Sequence, residues 1–230
     1  RFNILFEKGL AKFLGVKYAV GVSSGSSALY LALKACGIKP GDEVITSPLS
    51  WIITSNAIME CGARPIFVDV GDDLNINPDL IEKAITKKTK AIVPMHYGGN
   101  MCDMSKILKI AKMYNLKIVE DAAQSFGASL NKKKSGNYSL AASFSMNPMK
   151  TLSGYGENGV VIINNKKIYL RLKRLRHAGT TSDPKKKITN YCVESSLNHK
   201  MDTINASLLL VSLKNFSKVL KKKNDISNYY

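Results

Sequence analysis

The chain has 230 residues, 45% hydrophobic and 22% charged, an ordinary composition for a globular protein and enough for one large domain or one domain plus part of another. No apolar run approaches bilayer length, so a transmembrane helix is not expected. The net charge of +17 brings nucleic-acid binding into view. Against that reading, the lysines are spread over Lys87-Lys88, Lys132-Lys133-Lys134, Lys166-Lys167, Lys185-Lys186-Lys187 and Lys221-Lys222-Lys223. They fall in predicted turns and helix ends without interleaved aromatics, the pattern of a solvated surface and not of a base-stacking one.

In chain order, residues 1–7 show neither an initiator Met nor a signal-peptide pattern and read as the middle of a helix. With an equally abrupt end at residues 224–230, the chain reads as an internal fragment of a longer one. An amphipathic helix is expected over 6–14, closed by Gly15, then a short apolar strand over 18–22 and a helix over 26–36 closed by Gly37. Lys39-Pro40-Gly41-Asp42 is a turn before a strand at 43–46. A helix over 51–61 ends at Gly62, and a strand follows over 64–70. Asn77-Pro78-Asp79 supplies an N-cap and a proline at the first helical position, starting a helix that runs to about Ile85.

A strand at 91–95 and a helix at 104–114 lead to a strand at 117–120, so continuously apolar that it suits a sheet covered on both faces. Further strands are expected at 141–146 and 159–163, and a basic helix at 166–176. A polar, poorly ordered loop follows at 180–190, then a long amphipathic helix at 201–220. The alternation of helix and strand predicts an α/β fold with its sheet layered between helices. Cys36, Cys61, Cys102 and Cys192 are widely spaced with no Cys-x-x-Cys pair, so neither a disulfide framework nor a zinc ribbon is expected, and no metal site. They read as reduced thiols in apolar surroundings.

Chemistry concentrates in four stretches. Ser23-Ser24-Gly25-Ser26-Ser27 places a small hydroxyl-rich turn between a strand and a helix, where free backbone N–H groups and the helix dipole suit a phosphate; a plain helix cap gives the same pattern. Asp121 ends a strongly apolar strand, either as a cap or as the partner of a cation. Gln124 stands three residues on. Lys150 follows the uncharged, apolar stretch 141–149, where desolvation would favour a neutral, nucleophilic amine, and Ser145 precedes it by five residues. Trp51, the only tryptophan, suits either a core or a stack on a cofactor ring. Together, Lys150, Asp121 and Ser145 suggest a pyridoxal phosphate site, with the lysine forming the Schiff base, the aspartate facing the ring nitrogen and the serine touching the phosphate.

These stretches resemble the sugar aminotransferases of the DegT/DnrJ/EryC1/StrS group over essentially the whole chain. The resemblance rests on Ser24-Gly25-Ser26-Ser27-Ala28-Leu29, Gly41-Asp42-Glu43-Val44-Ile45, Trp51, Pro94-Met95-His96-Tyr97-Gly98, Glu120-Asp121-Ala122-Ala123-Gln124 and Ser145 to Lys150. Asn198, in Leu197-Asn198-His199-Lys200-Met201, resembles the loop asparagine that the group lends to the neighbouring subunit's phosphate. Three departures stand out: Met146-Asn147-Pro148-Met149 before the lysine, Gly-Glu-Asn-Gly at 156–159, and Lys200 where arginine is usual.

The resemblance implies a three-layer α/β sandwich around a mostly parallel seven-stranded sheet. Residues 1–200 would form the cofactor-binding large domain, its N-terminal helix missing, and 201–230 a helix leading into a truncated smaller domain. It further implies a cytoplasmic homodimer with shared sites, holding pyridoxal 5'-phosphate through Ser26, Ser27, Trp51, Asp121, Gln124, Ser145, Lys150 and Asn198, with Lys150 and Asp121 catalytic. The reaction would pass an amino group from an amino acid, L-glutamate foremost, to a keto group of a nucleotide-linked sugar, for surface polysaccharide or glycoconjugate synthesis. Two alternatives stand beside it: a nucleotide-sugar dehydratase using the same cofactor, whose histidine in place of lysine Lys150 argues against, and a basic nucleic-acid-binding domain.

Overall fold

The computed structural model describes residues 1–183 and 187–229. The chain opens with α1 (Phe2–Leu14), β1 (Tyr18–Val22), α2 (Gly25–Ala35), β2 (Glu43–Thr46), α3 (Ile53–Glu60) and β3 (Arg64–Phe67). It continues through α4 (Pro78–Ile81), β4 (Thr89–Ile92), α5 (Met104–Met113), β5 (Lys117–Asp121), β6 (Ser129–Leu130) and β7 (Lys133–Lys134). β8 (Ala141–Ser145), β9 (Gly159–Ile163), α6 (Lys166–Arg176), β10 (Thr180–Asp183), β11 (Ile188–Cys192) and α7 (Thr203–Ser227) complete it.

Seven strands form one sheet in the order β1-β9-β8-β5-β4-β2-β3. From β8 to β3 every pairing is parallel, whereas β9 runs antiparallel to both of its neighbours. That reversal makes β1 and β8 point the same way. Their last residues, Val22 and Ser145, both pair with Gly159.

Strand side chains alternate faces, and the core divides accordingly. Val20, Val44, Ala91, Val119, Ala141, Val161 and Ile163 join α2, α3 and α6 on one face. On the other, Ala142, Phe144, Val160 and Ile162 meet α1 and α7, while Ile45, Ile92 and Ile118 meet α4 and α5. Helices therefore cover both faces, and the expected three-layer α/β architecture is what forms. Sequential buried strands explain why 117–120, 141–146 and 159–163 read as nearly unbroken apolar runs.

Several boundaries move. The helix expected from residue 51 begins at Ile53, leaving Trp51 in the lead-in. The strand expected at 91–95 ends at Ile92; Pro94 has no N–H to extend the ladder, and its carbonyl accepts from the Asp121 N–H instead. β3 stops at Phe67, three residues early, because β2, its only sheet neighbour, stops at Thr46. The loop expected at 180–190 contains the antiparallel hairpin β10–β11, with Thr180 opposite Cys192 and Asp183 opposite Ile188; residues 184–186 lie outside the described ones. Both strands are largely exposed, which is why no buried face betrayed them.

α7 runs to Ser227, past the expected 220, as a fully exposed polar helix over its last turns. Lys221-Lys222-Lys223 therefore lies inside a helix and Lys133-Lys134 inside a short strand, not in turns or at helix ends. All four cysteines are free. Burial pushes the Cys36, Cys61 and Cys102 thiols up to about 12, but Cys192 is exposed on the hairpin, not in apolar surroundings.

Candidate active site

Ligands of open α/β sheets settle at the carboxyl ends of the strands, and here β1, β5 and β8 end around one cleft. It encloses about 410 Å³ and is lined by Gly25, Ser26, Trp51, Asp121, Gln124, Ser145 and Lys150 among others. That volume suits a small-molecule site.

The phosphate-type turn is assembled by two glycines. Ser24 caps α2, its hydroxyl accepting from the Ser27 N–H at 3.1 Å. A β-carbon on Gly25 would stand 2.6 Å from Ser145 Cβ, and one on Gly159 2.1 Å from the Ser24 carbonyl oxygen. Only glycine admits this approach, which seats the N-terminus of α2 against the end of β8. With the Ser27 N–H taken by the cap, the Gly25 and Ser26 N–H groups have no intrahelical acceptor and are available to an anion. Ser26 lines this cleft. Ser27 lines a smaller neighbouring depression instead, its hydroxyl engaged with Ser23, Ser24 and, at 2.9 Å, His199 Nδ1.

Asp121 is 4% exposed at the end of β5. Its Oδ2 accepts from the Thr54 hydroxyl at 2.8 Å and its Oδ1 from the Ala123 N–H at 3.2 Å. Among the described residues no cation pairs with it within salt-bridge distance. Burial pushes its carboxyl above the ordinary range, against the pull of those hydrogen bonds and of the Lys150 charge. A buried carboxylate without an ion pair, at the floor of a cleft, is suited to a cationic ligand atom.

Glu120, one residue earlier, points elsewhere and is wholly buried. It accepts from Gly136 N–H, Tyr138 N–H, the Ser139 hydroxyl and His96 Nε2 at 2.7 to 3.0 Å. His96 Nδ1 accepts from the Cys102 N–H at 3.3 Å, so the ring hydrogen sits on Nε2 and is donated to Glu120. Burial alone would raise the Glu120 carboxyl, but the His96, Ser139 and Gly136 hydrogen bonds overcome it and hold the group below its ordinary value.

Gln124 lines the cleft with its carbonyl oxygen taken by the Gly98 N–H at 2.7 Å, leaving its Nε2 hydrogens to offer. Trp51 is 73% exposed and so is not a core residue. Lys150 is half-buried; the apolar approach to it is buried only as far as Met146, and Met149 is 86% exposed. Asn198 does not line the cleft: it is exposed, and its side chain accepts from the Lys200 N–H at 3.3 Å. Ser50, Thr54 and Glu157 belong to the site without having been singled out in the sequence. Their residue types are common, and no local spacing marks them.

The family model of the DegT/DnrJ/EryC1/StrS aminotransferase family matches residues 1–230. The chain belongs to that family. It is 38% identical over 232 residues to GDP-perosamine synthase of Caulobacter vibrioides, covering 100% of this chain and 61% of that protein. Among solved structures it resembles DesV of S. venezuelae in complex with a ketimine intermediate, with a TM-score of 0.88, 34% identity and coverage of 95% of this chain and 57% of the other. NtdA of Bacillus subtilis with bound cofactor PMP matches with a TM-score of 0.87 and 34% identity, over 94% of this chain and 48% of the other. The chain spans about three fifths of the length of the curated relatives it matches. No helix among the described residues is long and apolar enough to cross a membrane.

Proposed function

We propose that the cleft holds pyridoxal 5'-phosphate at Lys150. With it, the protein moves an amino group from an amino acid, L-glutamate foremost, to a keto group of a nucleotide-linked sugar. The observation that carries this reading is Asp121, a buried carboxylate without an ion pair among the described residues, in one cleft with Lys150 and a glycine-built anion turn. Family membership supports it, as do a relative named GDP-perosamine synthase and a structural neighbour with bound PMP.

When bound, the cofactor supplies an electron sink for charge developing on a substrate carbon. Asp121, which pairs with no cation among the described residues, would hold the ring nitrogen in its protonated form. The first turn of α2, Ser26 and the Ser145 hydroxyl hold the phosphate. Trp51 and Gln124, which line the cleft, would hold the ring, Gln124 through its free Nε2 hydrogens. Lys150 Nζ would anchor the group, and its free amine would carry a proton to and from the substrate carbon.

The same reading extends to the whole protein. Residues 1–200 form the cofactor-binding domain, and 201–230 lead toward a smaller one. Asn198 serves the phosphate of the second copy, at a site shared within a cytoplasmic homodimer, and Ser27 braces the turn through Ser24 and His199. The lysine-rich surface draws in the phosphorylated sugar, and the product enters polysaccharide or glycoconjugate synthesis.

The test is a visible absorption spectrum of the whole chain with pyridoxal phosphate, before and after L-glutamate, beside Lys150→Ala. A band that glutamate bleaches and that the variant fails to form normally is expected. A band unmoved by amino donors would replace transfer with another reaction on the same cofactor, and no band would remove the cofactor.

A further inference from the structure

The hydroxyl of Thr54 does not bond within its own helix. Thr54 sits in the first turn of α3, 1% exposed, and reaches across 67 residues of chain to Asp121 Oδ2 at 2.8 Å. An ionised carboxylate only accepts, so the single Thr54 hydroxyl hydrogen is spent there. Thr54 Oγ1 also lies 2.6 Å from Ser50 Oγ. In that contact Ser50 must be the donor. The hydrogens therefore run one way, from Ser50 to Thr54 to Asp121, and Ser50 itself lines the cleft beside Trp51.

We infer that Thr54 is a positioning residue for Asp121, and that Ser50 and Thr54 form a hydroxyl chain that favours the ionised form of that carboxylate and fixes its orientation. With Oδ1 held by the Ala123 N–H and Oδ2 by Thr54, each oxygen has one donor, on different elements, and the plane of the carboxylate is set by both. Aligned hydroxyls polarise one another, so the Thr54 bond is strengthened by the one behind it. Were Asp121 protonated, the chain would reverse without moving a heavy atom: Asp121 would donate to Thr54 and Thr54 to Ser50. The direction of the chain thus records the charge of the carboxylate. The other titratable groups near Asp121 are His96, after β4, a neutral ring donating to Glu120, and Lys150, after β8; a positive charge on either favours the ionised carboxylate, and burial opposes it.

This inference rests on the proposed cofactor reading, and its test separates the two. Pyridoxal phosphate affinity of the whole chain is measured by absorbance titration across pH for the parent, Thr54→Val, Thr54→Ser and Ser50→Ala. Thr54→Val keeps the side-chain shape and removes the hydroxyl. It is expected to weaken binding about 10- to 100-fold, the range for a hydrogen bond to a charged group, and to move the acid-side midpoint of binding to higher pH. Thr54→Ser is expected to restore both. Ser50→Ala, at the half-buried end of the chain, should shift the midpoint in the same direction by less, and it reports even if Thr54→Val does not fold. Failure of the parent to bind would remove the proposed function. Binding by the parent, with affinity and midpoint unchanged in Thr54→Val or, where that variant does not fold, in Ser50→Ala, would overturn this inference alone.

Discussion

A β-carbon on Gly159 would stand 2.1 Å from the carbonyl oxygen of Ser24, so the start of β9 and the cap of α2 touch backbone to backbone. Neither partner is a flexible side-chain tip that could swing aside. Gly159→Ala is therefore expected to push α2 off the sheet and lower stability by about 1–3 kcal/mol, the usual range for overpacking. The same shift opens the anion turn. Urea melts together with phosphate-dependent cofactor binding check this, and a variant that keeps both would contradict the packing described.

Trp51 makes the converse prediction. Being 73% exposed, it contributes little to the fold, and Trp51→Ala should alter stability by no more than about 0.5 kcal/mol. Loss of an aromatic partner for a bound ring should nevertheless weaken pyridoxal phosphate binding. Equal losses of stability and affinity would mean that the indole packs into the protein and not onto a ligand.

Asp121 and Glu120 are adjacent in sequence and opposite in their response to pH. The Asp121 carboxyl is raised by burial, so in the cofactor-free protein its contribution to stability is present at acid pH and lost as pH rises through the raised value. Asn in its place can accept from the Ala123 N–H and donate to Thr54, which then donates to Ser50. Asp121→Asn is thus expected to melt no lower than the parent at neutral pH without cofactor, while binding the cofactor more weakly. A lower Tm of the cofactor-free variant would show that the carboxylate already has its cation.

The Glu120 carboxyl is lowered, so its contribution is present above the ordinary carboxylate range and disappears as pH falls through the lowered value. Glutamine cannot accept from both sides of that cluster, and at least one backbone N–H is left facing an NH₂ group. A loss of about 3 kcal/mol is expected for Glu120→Gln, from the cost of buried donors left unpaired. Guanidinium unfolding at neutral and acid pH checks both size and sign: the gap between variant and parent should close toward acid pH.

Much of the fold was legible because the strands at 18–22, 43–46 and 159–163 are buried and announce themselves as apolar runs between turn residues. The β10–β11 hairpin was not, since its exposed Thr, Asn and Tyr residues bury no face that could imprint a pattern. Within the site, Asp121, Ser145 and Lys150 stood out by their position after apolar stretches. Thr54 did not, because its partner lies 67 residues away and a helical threonine carries no signal of its own. Glu120 was legible only as a neighbour of Asp121; that it turns to His96 and the 136–139 turn is a fact of side-chain alternation in β5.

The position of β9 has a consequence for how the molecule comes into being. β1 and β8 do not pair with each other; β9 is threaded between them, reversed. A chain emerging from the ribosome has made both Ser24 and Ser145 before the strand that brings them together exists. The sheet between β1 and β8 therefore closes only once residues 159–163 are made, and capture of a cofactor at the proposed site is expected late in folding. Pairings of such sequence separation form slowly, so the ability to bind pyridoxal phosphate should lag behind the appearance of helix during refolding.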